Sequence, residues 1–402
     1  MIALLLLACQ GDKPATDSDT SPTEDSATVG SPDDTSAVDT SAVDTSTVDT
    51  TDSGGETGGV IDTGPLEGLA LYGLLGWDGA DFTYADGVVP YELATPLFSD
   101  YALKKRALIL PEGGSFAYTG EDEVFAMPLG TRILKSFLYP ADLRSPDENL
   151  RVIETRVLTL EEDGWEAEPW VWNADSTEAT FAPSGGTEEI TVTGLDGEPL
   201  VIQYLVPQKN QCIDCHELVI EEERTIVPIG TKARHLNRGY DHGAGEVNQL
   251  EHFVDLGWLT GLPDLAEVPR ATDARGLEGV DISTLDASTL DAAARDYLDI
   301  NCAHCHNPRA SEGVSSQLFL DRGTTDPFDL GVCKRPGSAG GGTGGLTYDI
   351  VPGDHTQSIL WYRMETEVLG EMMPDLGRSV RHVDGVALVA AWIDGLEGSC
   401  EE

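Results

Sequence analysis

Two pentapeptides constrain this chain more than any other feature: Cys212-Ile213-Asp214-Cys215-His216 and Cys302-Ala303-His304-Cys305-His306. Two thiols three residues apart, with a histidine directly after the second, is the spacing that attaches a c-type haem. The thiols add across the two vinyl groups of the porphyrin, and the short tether brings the imidazole under the iron. With 7 Cys and 8 His in 402 residues, chance supplies about 0.002 such pentapeptides, so two copies are not accidental. A lone CxxC would fit a redox disulfide or half of a zinc site equally well. The adjacent histidine and the second copy turn the reading towards two covalently bound haem c groups. Cys212, Cys215, Cys302 and Cys305 would carry the thioethers, with His216 and His306 as axial iron ligands.

The formal charge of −47 narrows the partners. Thirteen acidic residues and one lysine between Gln10 and Thr63 account for −12 of it, leaving −35 on the remainder. A chain this acidic lacks the Lys/Arg surface that nucleic acid demands, so no nucleic-acid partner is expected. It suits steering towards a basic redox protein instead.

The run Met1 to Gln10 is apolar but far short of the ~20 residues that span a bilayer. It ends in Leu6-Leu7-Ala8-Cys9, which resembles a bacterial lipobox with Cys9 as the lipidated residue. No Lys or Arg precedes the run, and an initiation codon placed too late would account for that. Three tandem pentads follow between Ser36 and Thr50, in a stretch of Thr, Ser, Asp, Gly and Pro. Such a stretch cannot offset the entropy of ordering and reads as a disordered, self-repelling tether between lipid and folded body.

From Ser115 to Pro207 branched and aromatic residues alternate with turn formers. Strands are expected over Arg132–Tyr139, Arg151–Leu160, Trp165–Trp172, Glu189–Thr193 and Leu200–Val206. Alternation is imperfect in the second, so the expectation is a sandwich-like or small-barrel domain without a strand order. Trp165, Trp170 and Trp172 suit a core or haem-packing role better than a sugar platform. The cationic cluster Lys104-Lys105-Arg106 reads as a solvated turn or, more sharply, as a propionate-binding patch.

Axial chemistry differs between the two motifs. Around Cys302 a helix former, Asp291 to Ile300, runs into the motif, and Val383 to Ile393 supplies a second helix whose Val386, Val389, Ala390 and Ile393 share one face. Trp392 would touch Tyr297 or the haem edge. Met373, just before Pro374, is expected as the sixth ligand there, with Met372 as the runner-up and Met364 as a core residue; a thioether raises the potential relative to a second histidine. His304 and His355 read as surface or haem-rim residues. Around Cys212 the sixth ligand is expected at His252, on a helix closed by Gly257, or at His235, which follows Lys232 and Arg234. Met127 or an open iron position are the other readings. Cys333 and Cys400 remain, and in the oxidising compartment where such haems are attached they would form a disulfide.

The expectation is thus a multidomain α+β chain. It comprises a signal segment over 1–9, a disordered acidic tether over 10–63, a β-rich sandwich-like domain over 64–207, a first haem segment over 208–270, and a C-terminal all-α, class I-like cytochrome c domain over 271–402.

Further motifs extend the reading beyond two pentapeptides: Thr95-Pro-Leu-Phe-Ser-Asp-Tyr101, Gly130-Thr131, Lys135-Ser-Phe137, Glu154-Thr-Arg156, Val171-Trp-Asn173, Gln211 before the first pentapeptide, Leu236-Asn-Arg238, Asn248-Gln-Leu250, Val351-Pro-Gly353 and Met373-Pro-Asp-Leu376. In this order, from about Leu66 to Cys400, the chain resembles a bacterial family of dihaem c-type cytochromes. Its last third also looks like the cytochrome c domains of planctomycete-type proteins. The resemblance implies electron transfer in the cell envelope, a redox protein partner there, and an association with a β-helix repeat protein. With the lipid anchor, it implies a bacterial-envelope location at the outer membrane, facing the periplasm or the surface. The competing readings are a dihaem redox enzyme, peroxidase-like or a small-molecule oxidase, working at an incompletely ligated first haem, and a haem-containing surface binding protein.

Overall fold

A computed structural model describes residues 73–400, apart from 121, 278, 311–316 and 340. The expected signal segment, the acidic tether and Cys9 lie outside the described residues. Those described belong to one compact unit of mixed α+β structure.

Six strands form an antiparallel meander in chain order: β1 (Val88–Tyr91), β2 (Leu103–Ile109), β3 (Arg132–Tyr139), β4 (Arg151–Glu161), β5 (Gly164–Trp172) and β6 (Ala179–Phe181). A separate hairpin follows, β7 (Gly186–Thr193) with β8 (Pro199–Val206), paired from Gly186↔Val206 to Thr193↔Pro199. The broken alternation of β4 has a local cause. The register shifts between Phe137 and Leu138, which face Glu154 and Val152 respectively. Ile153 is left over as a bulge, which sends Val152 into one core and Ile153 into another.

The sheet is apolar on both faces, so it needs two partners. On one face Ile109, Leu134, Val157, Trp170 and Trp172 pack with Leu74, Leu75 and Phe82. On the other, Leu108, Ile133, Leu158 and Ala167 meet Leu250 and Phe253, while Phe137 and Tyr139 meet Ile190, Ile202 and Tyr204 of the hairpin. Trp170 and Trp172 are therefore core residues, and the Trp172 indole donates to Thr155 Oγ1 at 2.9 Å. Lys104, Lys105 and Arg106 do not form a turn: they lie within β2. Strand alternation splits them, with Lys105 reaching Asp81 at 3.4 Å and the other two on the hairpin side.

Four helices matter for the sites. α1 (Gln249–Asp255) starts where Asn248 Oδ1 accepts Leu250 N–H, and Gly257 follows at φ +74°. α2 (Ala287–Asn301) is capped by Asp286, which accepts the N–H groups of Ser288 and Thr289. After α3 (Ile359–Glu365), α4 (Val383–Asp394) brings Val386, Val389, Trp392 and Ile393 against Ala293, Ala294, Tyr297 and Leu298 of α2. The Trp392 indole donates to Asp291 at 2.9 Å. A disulfide joins Cys333 to Cys400. Among the described residues no helix is long and apolar enough to cross a membrane.

Leu298 has no exposed surface at the α2–α4 contact, so Leu298→Ala should cost about 2–5 kcal/mol in denaturant unfolding. Val254→Ala, at a position 43% exposed, should stay within about 0.5 kcal/mol.

Candidate functional site

Both pentapeptides sit at the ends of regular elements. The first follows β8 directly: Lys209–Cys212 forms one 3-10 turn and Ile213–His216 one helical turn. Gln208 and Gln211 cap that turn reciprocally, and Lys209 N–H donates to Pro183 O at 2.9 Å. A short hairpin, Glu217–Ile220 with Glu223–Ile226, then brings Val227 back to His216. The His216 Nδ1 atom lies 2.7 Å from Val227 O. Only a protonated Nδ1 can satisfy that carbonyl, so the tautomer is set and Nε2 keeps its lone pair. Burial pulls the His216 pKa down to about 4, which keeps the ring neutral near pH 7 and suits a metal ligand.

The second pentapeptide begins at the C-terminus of α2. The N–H groups of Cys305 and His306 both reach Cys302 O, at 3.1 and 2.8 Å. Asn301 pins this end to the β part: its Oδ1 accepts Phe98 N–H at 2.6 Å while its Nδ2 donates to Tyr297 O at 3.0 Å.

Each motif borders a cavity. The one at the second motif measures about 370 Å³ and is lined by Cys302, Cys305, His306 and Met373, with Leu318, Leu320, Ile359, Leu360 and Val386 as apolar wall. Met364 lines it too, whereas Met372 is buried outside it. The loop bearing Met373 is held by Arg378, whose guanidinium donates to the carbonyls of Met364, Met373 and Thr366. The cavity at the first motif is narrower, about 110 Å³, and is lined by Cys212, Cys215 and His216. Phe98, Cys215, Asn301, His304, Pro374 and Leu376 line both cavities, so the two share a wall. At that wall the donor atoms of Cys215, His304 and Cys305 lie within 4.8 Å of one another. A hydrogen bond from Cys305 draws the Cys215 thiol down and holds that of Cys305 up.

The two histidines expected to complete the first site lie elsewhere. His235 is buried, and its Nε2 is 2.9 Å from Asp299 Oδ2. His252 stacks on His242 at 3.8 Å. Neither lines the first cavity, and nor does Met127; the nitrogen donors beside His216 there include His304 and Lys135. From sequence, Lys135 has no assigned role although it stands in a noted motif, and His304, inside a pentapeptide, reads as a surface or haem-rim residue. Periodicity carries no information about which loop will lie beside which strand.

The donor set fits a haem c at both motifs. At the second, His306 and Met373 border one apolar space between the four relevant segments. At the first, the fit rests on paired thiols and a free Nε2. No further geometry of a bound group follows from these contacts.

His382 joins the second cavity to the β part. Its ring stacks on Phe98 at 4.2 Å, and its Nδ1 lies 3.0 Å from the Tyr297 hydroxyl. Burial lowers its pKa from 6.5 to about 4. The unfolded chain therefore takes up this proton first as pH falls, and stability held above pH 6.5 is lost towards about pH 4. His382→Gln should flatten the pH dependence of unfolding in that window, measured by denaturant titration at fixed pH values. An unchanged slope would contradict the assignment.

No family model, curated protein or solved structure matches this chain.

Proposed function

We propose that this chain is a dihaem c-type cytochrome that carries electrons in the bacterial cell envelope. The observation that carries the reading is the pairing of His306 with Met373 on a single apolar cavity, beside a second CxxCH cavity that shares its wall. A haem c at each motif supplies a one-electron ferric/ferrous couple. The chain's own residues then perform definable tasks. Cys212, Cys215, Cys302 and Cys305 tether; His216 and His306 present imidazole nitrogen; Met373 presents sulfur from a loop fixed by Arg378. Leu318, Leu320, Ile359, Leu360 and Val386 exclude water, which favours the less charged ferrous state and so a higher potential. The α2–α4 pair with its Met373 loop is the class I-like cytochrome c domain of this proposal.

The proposal extends to location and partners. Cys9 would anchor the chain to lipid through the acidic tether, and the −47 charge would steer it to basic surfaces of a redox protein. A β-helix repeat protein is the family-implied neighbour. A second reading, a redox enzyme working at the first haem, is favoured by one observation: His235 and His252 both stay away from the first cavity. In the electron-carrier reading His304 is the imidazole that completes this site.

Haem quantitation with EPR of the oxidised, full-length protein decides between them. Two haems per chain, both low-spin, are expected for the carrier. Met373→Ala should abolish the sulfur–iron charge-transfer absorption, lower the midpoint potential of that haem, and leave the haem count at two. His304→Ala should convert one haem to high spin. A high-spin haem already in the wild type, responding to peroxide, would favour the enzyme. A chain with zinc at Cys215, His304 and Cys305 and no haem would refute both.

A further inference from the structure

The sheet face beneath the hairpin should be apolar throughout, since it packs against Leu250 and Phe253 at one end and Ile202 and Tyr204 at the other. A row of cations interrupts it. Arg106, Lys135 and Arg156 are direct cross-strand partners on β2, β3 and β4. Lys104 stands one step along on the same face. Phe137 lies among them, with Lys104 Nζ at 6.0 Å, Lys135 Nζ at 5.1 Å and Arg156 Cζ at 4.4 Å from its ring centroid. Arg106 is buried, and Lys104, Lys135 and Arg156 are half-buried; cations partly withdrawn from water in this way are costly unless they are paired.

The available carboxylates do not balance this row. Glu154 is fully buried and bonds Arg156 bidentately at 2.7 and 2.9 Å, and it also accepts the Tyr204 hydroxyl at 2.7 Å. Asp100 lines the same cavity, but its oxygens accept the N–H groups of Ser379 and Val380 and the Ser379 hydroxyl. Glu168 also lines this cavity, but it is the cross-strand partner of Val157, which belongs to the other core, and makes no hydrogen bond or ion pair with Lys135 or Arg156 among the described residues. Among the described residues Lys104 Nζ donates a hydrogen bond only to the carbonyl of Ala102, at 2.7 Å. The side chains of Arg106 and Lys135 have no hydrogen bond or ion pair among the described residues. Lys135 and Arg156 both line the first cavity, together with His216.

We propose that this cavity contains an anion site, in which Lys135, flanked by Arg156 over the Phe137 ring, binds a carboxylate or a small oxyanion. The inference rests on the dihaem reading of the His216 motif and adds to it a ligand class and the residue that recognises it. Two sources can present this chemistry: a propionate of the haem tethered at Cys212 and Cys215, or a free monovalent oxyanion that enters the cavity. In both cases the ammonium supplies a charge-assisted hydrogen bond in a desolvated setting.

The test uses the full-length protein as purified, wild type against Lys135→Met and Lys135→Arg, with haem per chain counted on every sample. Sodium nitrite is titrated at constant ionic strength and read by the Soret difference spectrum, and both midpoint potentials are measured. For a free oxyanion, the wild type gives a saturable spectrum. The Lys135→Met variant then binds about ten- to a hundredfold more weakly, the loss of one hydrogen bond to a charged group, and Lys135→Arg recovers most of it. For a propionate, nitrite gives no saturable spectrum; instead one midpoint falls in Lys135→Met, because a positive charge has left the porphyrin's surroundings, and Lys135→Arg restores it. If both nitrite response and midpoints are unchanged in Lys135→Met, the anion site is wrong. Two haems counted on those same samples would leave the dihaem reading standing, and fewer than two in the wild type would instead overturn that reading.

Discussion

The joint between the two parts of this protein is a buried cluster of charges on one face of α2. Asp299 is nearly inaccessible and accepts from His235 Nε2 at 2.9 Å, from Lys232 Nζ at 3.3 Å and from Arg322 N–H at 3.1 Å. One turn earlier, Asp296 accepts the backbone N–H and hydroxyl of Thr272 at 2.7 and 2.8 Å and pairs with Arg234 and Arg322. Lys232, Arg234 and His235 come from the segment after the first CxxCH motif, and Asp296 and Asp299 from the helix that enters the second. Stripping one partner from such a set leaves a buried charge, which costs about 3–5 kcal/mol. The cluster holds α2 at a fixed height against the β part, and the placement of both motifs follows from it.

His235 thus has a structural partner in this cluster. Its imidazole is spent on Asp299, and those bonds fix the helix three residues before Cys302. Lys232 and Arg234 of the same segment are drawn inward for the same purpose. Asn301 continues the joint by holding the backbone of Phe98, and Phe98 in turn carries the His382 ring and lines both cavities. Asp100, two residues on, receives the N–H groups of Ser379 and Val380 just before α4. The Thr95–Tyr101 stretch is thus a strap between the sheet and the helical end, which accounts for its density of polar and aromatic side chains.

The shared wall has an electrostatic consequence. With the proposed haem at each motif, two charges on either side of a wall formed by Phe98, Cys215, Asn301, His304, Pro374 and Leu376 would feel each other more strongly than across water. Unequal surroundings separate them further. The second cavity is apolar with a thioether on its rim, whereas the first is bordered by Lys135, Arg156 and Tyr204. With the proposed haem at each motif, such asymmetry would give the pair a direction.

Several features of this molecule were legible in the residues alone because they depend on neighbours in sequence. The paired CxxCH motifs, the three central strands β3, β4 and β5, the Gly257 stop of α1 and the apolar face of α4 are of this kind, whereas the Cys333–Cys400 disulfide, whose partners stand 67 residues apart, was legible only because the other cysteines already had roles. What failed depended on distant segments. The bulge at Ile153 arises from a partner strand, so β4 looked irregular by itself. Lys104 to Arg106 read as a turn because three consecutive cations hide the alternation that a paired strand imposes. The ring of His252 meets His242, and the first cavity lies elsewhere. Whether His304 and Lys135 stand next to His216 could not be read from spacing, because residues 135, 216 and 304 meet only once the sheet, the motif hairpin and α2 have docked. Sequence determined which atoms can bind, and tertiary structure decided which of them share a cavity, because that depends on long-range packing and on buried charges that must find partners.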